Sequence, residues 1–221
     1  MTNSFDELGA TTSLDALAAR FGDQDWWEQL CEVAAQRDAP AAVRLIDGPL
    51  ELEGDLRTGA DPWAIVVDGP LTLHGTLECF TDDGRASMLV VTGSVRADNL
   101  FFGGAAQVSV AVLELSGFLI GTWGDGGAWL SARAALRARG VLLDAHTPAY
   151  GHPLAAIVMA GHGFRDLVPD VIDGESSLFA AEVRERGGPF LDFRAARSAA
   201  KAGRPLFDPE QEALWRARKG L

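Results

Sequence analysis

From about residue 41 the apolar positions of the chain recur every second residue, and the phrase in which they do so repeats. Residues 50–56 read LELEGDL and residues 71–77 read LTLHGTL. The phrase returns as Val95-Arg96-Ala97-Asp98-Asn99, Leu113-Glu114-Leu115-Ser116-Gly117 and Leu136-Arg137-Ala138-Arg139-Gly140. Its fifth position falls at 54, 75, 99, 117 and 140, in steps of 21, 24, 18 and 23, and two residues beyond it stand Leu56, Leu77, Phe101, Leu119 and Leu142. A period of two is the strand signature. Glycine or asparagine at the fifth position, the residues most tolerant of a left-handed backbone, predicts a sharp corner. Gly48, Gly69 and Gly93, six residues upstream, predict a second corner in the first three copies.

Copies of roughly twenty residues, each made of short alternating strands between corners, define a solenoid, in which a coil buries its inward side chains only by stacking on its neighbours. The expected fold is mainly β: a right-handed parallel β-helix of five or six coils with α-helical segments at both ends. The inward columns are Leu50, Leu71, Val95, Leu113, Leu136 and Leu52, Leu73, Ala97, Leu115, Ala138. The outward columns are Glu51, Thr72, Arg96, Glu114, Arg137 and Glu53, His74, Asp98, Ser116, Arg139. Arg96, Glu114 and Arg137 alternate in sign, which stacked neighbours favour. A weaker sixth coil is expected through Ala155, Ile157 and Met159.

Before the solenoid the period is helical. Thr12-Ser13-Leu14-Asp15 is a capping pattern followed by Leu14, Leu17, Ala18 and Phe21 on one face, and Asp25 is placed to cap a second helix with Trp27, Leu30, Cys31 and Ala34 inward. Near the end, Asp192 predicts a helix through Ala202 that stops at Gly203, and Asp208-Pro209-Glu210-Gln211 predicts another start. The expected organisation is a helical cap over 1–40, a solenoid over 41–165, and a loop with a helical tail over 166–221. The helices are expected to cap the open ends of the coil stack.

Charge narrows the partners. The 221 residues carry a net charge of -12, which repels phosphates and so argues against nucleic acid or an anionic membrane surface, while suiting a basic protein. The N-terminus has acids where a signal peptide needs a basic start, no run is long enough to span a bilayer, and Cys31 and Cys79 form no disulfide or metal motif, so a cytoplasmic protein is expected.

Catalytic chemistry finds little support. His146, His152 and His162, with Tyr150 nearby, are the candidate metal ligands, as in a metal-dependent β-helix enzyme of the γ-carbonic anhydrase type, but the coil steps do not keep the six-residue metre of that class. No metal or other cofactor is expected. GTWGDGGAW over 121–129 lacks the Lys-Ser/Thr of a phosphate-binding loop and predicts a loop interrupting the solenoid. Asp82 and Asp83 fall in no paired-carboxylate motif, and no serine sits in G-x-S-x-G.

VVDGPLTLHGTL, LVVTGSVRADNL and VAVLELSGFLIG resemble the coils of bactofilin-type, polymer-forming β-helix proteins over about 45–145. The chain departs from them in its uneven coil lengths and larger helical flanks. The layout of a Trp-Trp helix, solenoid coils and a tail reading LDFRAARSAAKAGRPLF is also similar to solitary β-solenoid proteins associated with bacterial polymorphic toxin systems as immunity partners. That resemblance implies a non-catalytic protein that neutralises a cognate, basic toxin domain by occlusion; the alternative is a bactofilin-like scaffold, with self-association. The partner-binding residues expected are Glu51, Glu53 and Asp55, with Trp63, Trp123 and Trp129 as aromatic anchors.

Overall fold

The computed structural model describes residues 2–36, 42–59, 62–81, 85–122, 128–143, 149–150, 158–160, 171–173, 178–186 and 191–219. The chain opens with strands Thr2–Ser4 (β1) and Ala10–Ser13 (β2), separated by a 3-10 turn at Phe5–Glu7, and helices Leu14–Phe21 (α1) and Trp27–Ala35 (α2). The first coil is Ala42–Asp47 (β3), Leu50–Glu53 (β4) and Asp55–Arg57 (β5); the second is Ala64–Asp68 (β6), Leu71–His74 (β7) and Thr76–Phe80 (β8). In the next three the first corner is absorbed into a long strand: Ser87–Ala97 (β9) with Asn99–Gly103 (β10), Ala106–Leu115 (β11) with Phe118–Thr122 (β12), and Trp129–Arg137 (β13) with Gly140–Leu143 (β14). Short strands at Ala149–Tyr150 (β15), Val158–Ala160 (β16) and Val171–Asp173 (β17) continue the stack, and helices Phe193–Lys201 (α3) and Pro209–Lys219 (α4) follow.

The strands form two sheets, parallel from coil to coil. One sheet is bent, by the corners at Gly48 and Gly69 and by a register shift between Val110 and Val112, into two panels. The first panel holds β3, β6 and the leading halves of β9, β11 and β13; the second holds β4, β7 and their trailing halves. The third panel is the other sheet, β5, β8, β10, β12, β14, β16 and β17. The winding completes about four turns, fewer than the five or six coils expected. β17 lies beyond 165, so pairing continues past the stretch expected to carry it.

The two expected inward columns are stacked as written: Leu50 on Leu71 on Val95 on Leu113 on Leu136, and Leu52 on Leu73, with Ala97 on Leu115. They join Leu56, Leu77, Leu100, Leu119 and Val141 of the third panel in one continuous core. Past the corner the apolar residues two places beyond the fifth position do not share one column. Leu77 faces Leu100, not Phe101, and Leu119 faces Val141, not Leu142. The corners of the third and fifth coils are one residue shorter, so the corner ladder runs through Gly75, Asp98, Gly117 and Arg139, linked by N–H donation of 2.8 Å at each step. Asn99 and Gly140 begin the next strands instead. A one-residue slip sends each following side chain to the other face. Asn99 braces this line, its Nδ2 donating to Thr76 Oγ1 (3.3 Å) and its Oδ1 accepting from the Phe118 N–H (3.0 Å).

Glycine serves two different needs at the corner. Gly54 has φ of 83°, the left-handed geometry expected. At Gly75 the need is proximity: a Cβ there would sit 2.4 Å from the Gly54 carbonyl oxygen of the coil below.

The helices do not cap the ends of the stack; they cover its sides. Leu17 and Phe21 of α1, with Trp26 and then Leu30, Val33 and Ala34 of α2, pack on the outer side of the first panel, against Val43, Ala64, Val66, Met88 and Val90. The buried face of α2 is therefore rotated from that expected, and Cys31 is only half-buried. Ser13 caps α1, accepting from the Ala16 N–H at 3.3 Å. Asp25 does not cap α2; it reaches Arg133 of the fifth coil at 3.0 Å. The C-terminal segment lies over the third panel, where Leu178, Phe179, Ala196, Ala199, Leu206 and Phe207 meet Phe101, Phe118, Ile120 and Leu142. Asp192 and Asp208 cap α3 and α4 as expected.

Candidate protein-binding face

Two panels are covered by the chain's own flanks, and among the described residues the second panel is left as the bare strand face. Its outward residues stack in the expected order: Glu51 on Thr72 on Arg96 on Glu114 on Arg137, and Glu53 beside His74. Glu114 bridges two cations, Arg96 at 2.7 Å and Arg137 at 3.3 Å. Ser116 donates to Asp98 at 3.0 Å, and His74 stands 3.4 Å from Glu51. The panel is thus polar from end to end, with acids in its first coil and arginines in its last. Exposed pairs of this kind contribute little to stability, about 0–1 kcal/mol each, so their order along the panel serves the surface more than the fold.

The edge between the first and second panels is held from α1. Arg20 contacts Asp47 at 3.0 Å and also the stacked Asp68, which accepts from Thr92 Oγ1 at 3.0 Å. Beyond this edge lies an acidic flank: residues 2–36 contain seven acids, Asp6, Glu7, Asp15, Asp23, Asp25, Glu28 and Glu32, against one base, Arg20.

The opposite edge belongs to the C-terminal segment. Lys201 joins Asp55 at 2.9 Å and also bonds Glu78; Arg139 joins the buried Glu212 at 2.9 Å and lies over the Phe118 ring. Burial alone would lower the Lys201 pKa, but the hydrogen bonds to Glu78 and Asp55 outweigh it and raise the value above that of a free lysine. Arg197 is desolvated where it stacks over Phe80 and donates to Thr122 Oγ1, and its pKa is lowered mainly by that burial.

The expected binding residues therefore separate. Glu51 and Glu53 are exposed on the second panel. Asp55 is not a free acid: besides Lys201 it accepts from the Thr76 N–H at 2.9 Å, so it fastens the tail to the first coil. Trp63 is not a surface anchor: it is 5 % exposed, and its Nε1 donates to the Phe80 carbonyl at 3.2 Å. Trp129 is half-buried against the N-terminal cluster on the first panel, away from Glu51. Trp123, Asp82, Asp83 and the histidines His146, His152 and His162 lie outside the described residues. Of Tyr150 only the strand placement is described. Among the described residues no group of three or more His, Cys, Asp or Glu side chains is placed to hold a metal ion, and no helix is long and apolar enough to cross a membrane. Cys79 is fully buried and its thiol is pushed far up, first by burial and then by Glu78; Cys31 is raised too, by burial and by Glu28.

The open panel had a signature that the periodicity alone carried. Strands covered on both faces are apolar without interruption, as in AIVV at 64–67, MLVV at 88–91 and LFF at 100–102, whereas LELE and LTLH alternate. Comparison with protein-family models, with curated proteins and with solved structures finds no match. The bactofilin-like and immunity-like resemblances rest on the residues of this chain.

Proposed function

We propose that the protein is a non-catalytic binding protein that holds a basic or mixed-charge protein partner against its second panel and occludes the surface it covers. The observation that carries the reading is the uneven coverage of the solenoid: apolar outer faces are sealed by the chain's own helices, and the charged one is left open. A toxin domain with a phosphate-attracting active site is the partner class suggested by the layout, because such a site is basic and the acidic first coil and N-terminal flank would speed the encounter.

The size of the panel constrains the contact. Five strands about 4.8 Å apart and four residues of about 3.3 Å give roughly 300 Å² in projection. A standard interface needs about 800 Å² per partner. The partner must therefore extend beyond the panel, and the acidic N-terminal flank, joined to the panel edge through Arg20 of α1, is the continuation that matches the charge of the first coil. A scaffold that grows by stacking coil on coil is the less favoured reading, since β1 and β2 already occupy two of the three edges of the first coil.

The test is to recover the partner from source cells with the tagged protein and to map its footprint by hydroxyl-radical labelling. Protection at 50–53, 71–74 and 95–98 and along α1 is expected. Protection centred on α4, or salt-stable filaments of the protein alone, would overturn the reading.

A further inference from the structure

The first coil is closed by the N-terminal segment on two sides out of three. β1 pairs in parallel with β5, and β2 pairs antiparallel with β3. Between them Phe5, fully buried, plugs the end of the core. β4 pairs with β7 on one edge, and among the described residues no strand pairs with its other edge.

The backbone chemistry of that edge can be read from its partners. Leu50 and Gly54 donate their N–H groups to Pro70 and His74 of the second coil, at 3.0 and 3.1 Å. In a strand, alternate residues direct their backbone groups to opposite sides. Those of Glu51 and Glu53 therefore point away from the stack, and the Glu53 carbonyl there accepts from Asn3 Nδ2 at 2.9 Å. The inward side chains tell the same story. Leu71 and Leu73 are 0 % and 2 % exposed, whereas Leu50 and Leu52, which stack on them, are only partly covered.

We propose that β4 is a docking edge, which takes an extended segment of the partner protein as an added strand. The segment places apolar residues over Leu50 and Leu52 and alternating basic residues opposite Glu51 and Glu53. Strand addition of this kind draws affinity from main-chain hydrogen bonds and specificity from alternate side chains. The charges select the occupant. A second copy of β4 would set Glu51 and Glu53 against themselves, which disfavours edge-to-edge pairing of this chain, while a lysine- or arginine-bearing strand is attracted. The inference rests on the reading of the protein as a protein-binding one and adds the manner of engagement.

The probe is a synthetic peptide of about ten residues alternating lysine and valine, with two comparison peptides: the same sequence N-methylated at alternate residues, which cannot form the ladder, and an alternating glutamate–valine peptide. Binding is read by fluorescence anisotropy on the full chain. The lysine–valine peptide is expected to bind, and N-methylation to weaken it at least ~10-fold, the equivalent of one or two lost hydrogen bonds; the acidic peptide is expected not to bind. Glu51→Pro, which deletes an outward N–H together with the carboxylate but leaves the bonds to β7, is expected to weaken binding more than Glu51→Gln, which deletes the carboxylate alone, with an unchanged melting temperature. Equal binding of the N-methylated peptide to the unmodified protein would overturn strand addition whatever the proline variant does, yet leave electrostatic attraction to the panel standing. Absence of lysine–valine binding, or a recovered partner indifferent to Glu51→Pro in a folded protein, would also overturn it without bearing on whether the second panel binds.

Discussion

Replacing Leu73 by alanine tests the solenoid register at one point. Leu73 is 2 % exposed, stacks on Leu52 of the first coil and shares the core with Ala97 of the third. Three carbon groups leave the core, at about 0.8 kcal/mol each, for a transfer loss of about 2.4 kcal/mol. Ala97 is too short to fill the gap from above, so the site collapses incompletely and the cavity contribution brings the expected loss to about 3 kcal/mol, inside the ~2–5 kcal/mol range of buried leucines. Thr72 is the control. It is half-buried, faces outward between Glu51 and Arg96, and Thr72→Ala is expected to cost under about 0.5 kcal/mol. Urea unfolding followed by far-UV circular dichroism, compared at equal slope, measures both. If Thr72→Ala cost more than Leu73→Ala, the strand faces would be inverted and the second panel would not be the surface described.

Gly75→Ala is expected to destabilise more than an ordinary surface change, because the new Cβ would lie 2.4 Å from the Gly54 carbonyl oxygen and both partners are backbone; a melting temperature equal to that of the unmodified protein would contradict the close corner stack. Phe207→Ala removes a fully buried ring that meets Phe118 edge-on at 5.7 Å and stacks on Phe179 at 6.1 Å, so a loss of about 3 kcal/mol in tail docking is expected, seen as faster proteolysis within 178–219 while the coils stay resistant. The Lys201 pKa is raised in the folded state, so the stabilisation it gives is fully present below its unfolded value near 10.5 and is lost as pH rises through the higher folded value. The stability gap between the unmodified protein and Lys201→Met should hold from neutral pH to about 10 and close above it; a gap that widens with alkalinity would contradict the tether.

The parts of this fold legible in the sequence are those in which a side chain's direction follows from its neighbours along the chain. Leu50, Leu71, Val95, Leu113 and Leu136 fell into one column because the strand period and the coil spacing fix them together. The corners of the third and fifth coils were not legible: Asn99 and Gly140 have the composition of a corner, and the missing residue shows only when Leu77 is seen to face Leu100. Docking was hidden for a related reason. Leu17 and Phe21 announce that a helix face is buried, but not whether it lies across an open end or along a panel. Asp55 and Glu51 belong to the same short segment, yet Lys201, well over a hundred residues away, turns one into a tether and leaves the other to solvent. The type of Trp63 suggests an interface anchor, while its ring is satisfied inside the coil by the Phe80 carbonyl.

The most direct test of the central claim is the affinity of the recovered partner for the unmodified protein and for Glu51→Lys/Glu53→Lys, titrated at low and at high salt. Both positions are exposed and outside the core, so the double variant should remain folded. Expected is a loss of at least ~10-fold at low salt that narrows as salt screens the contact. An affinity indifferent to both charge reversal and salt would mean that the open panel is not where the partner binds.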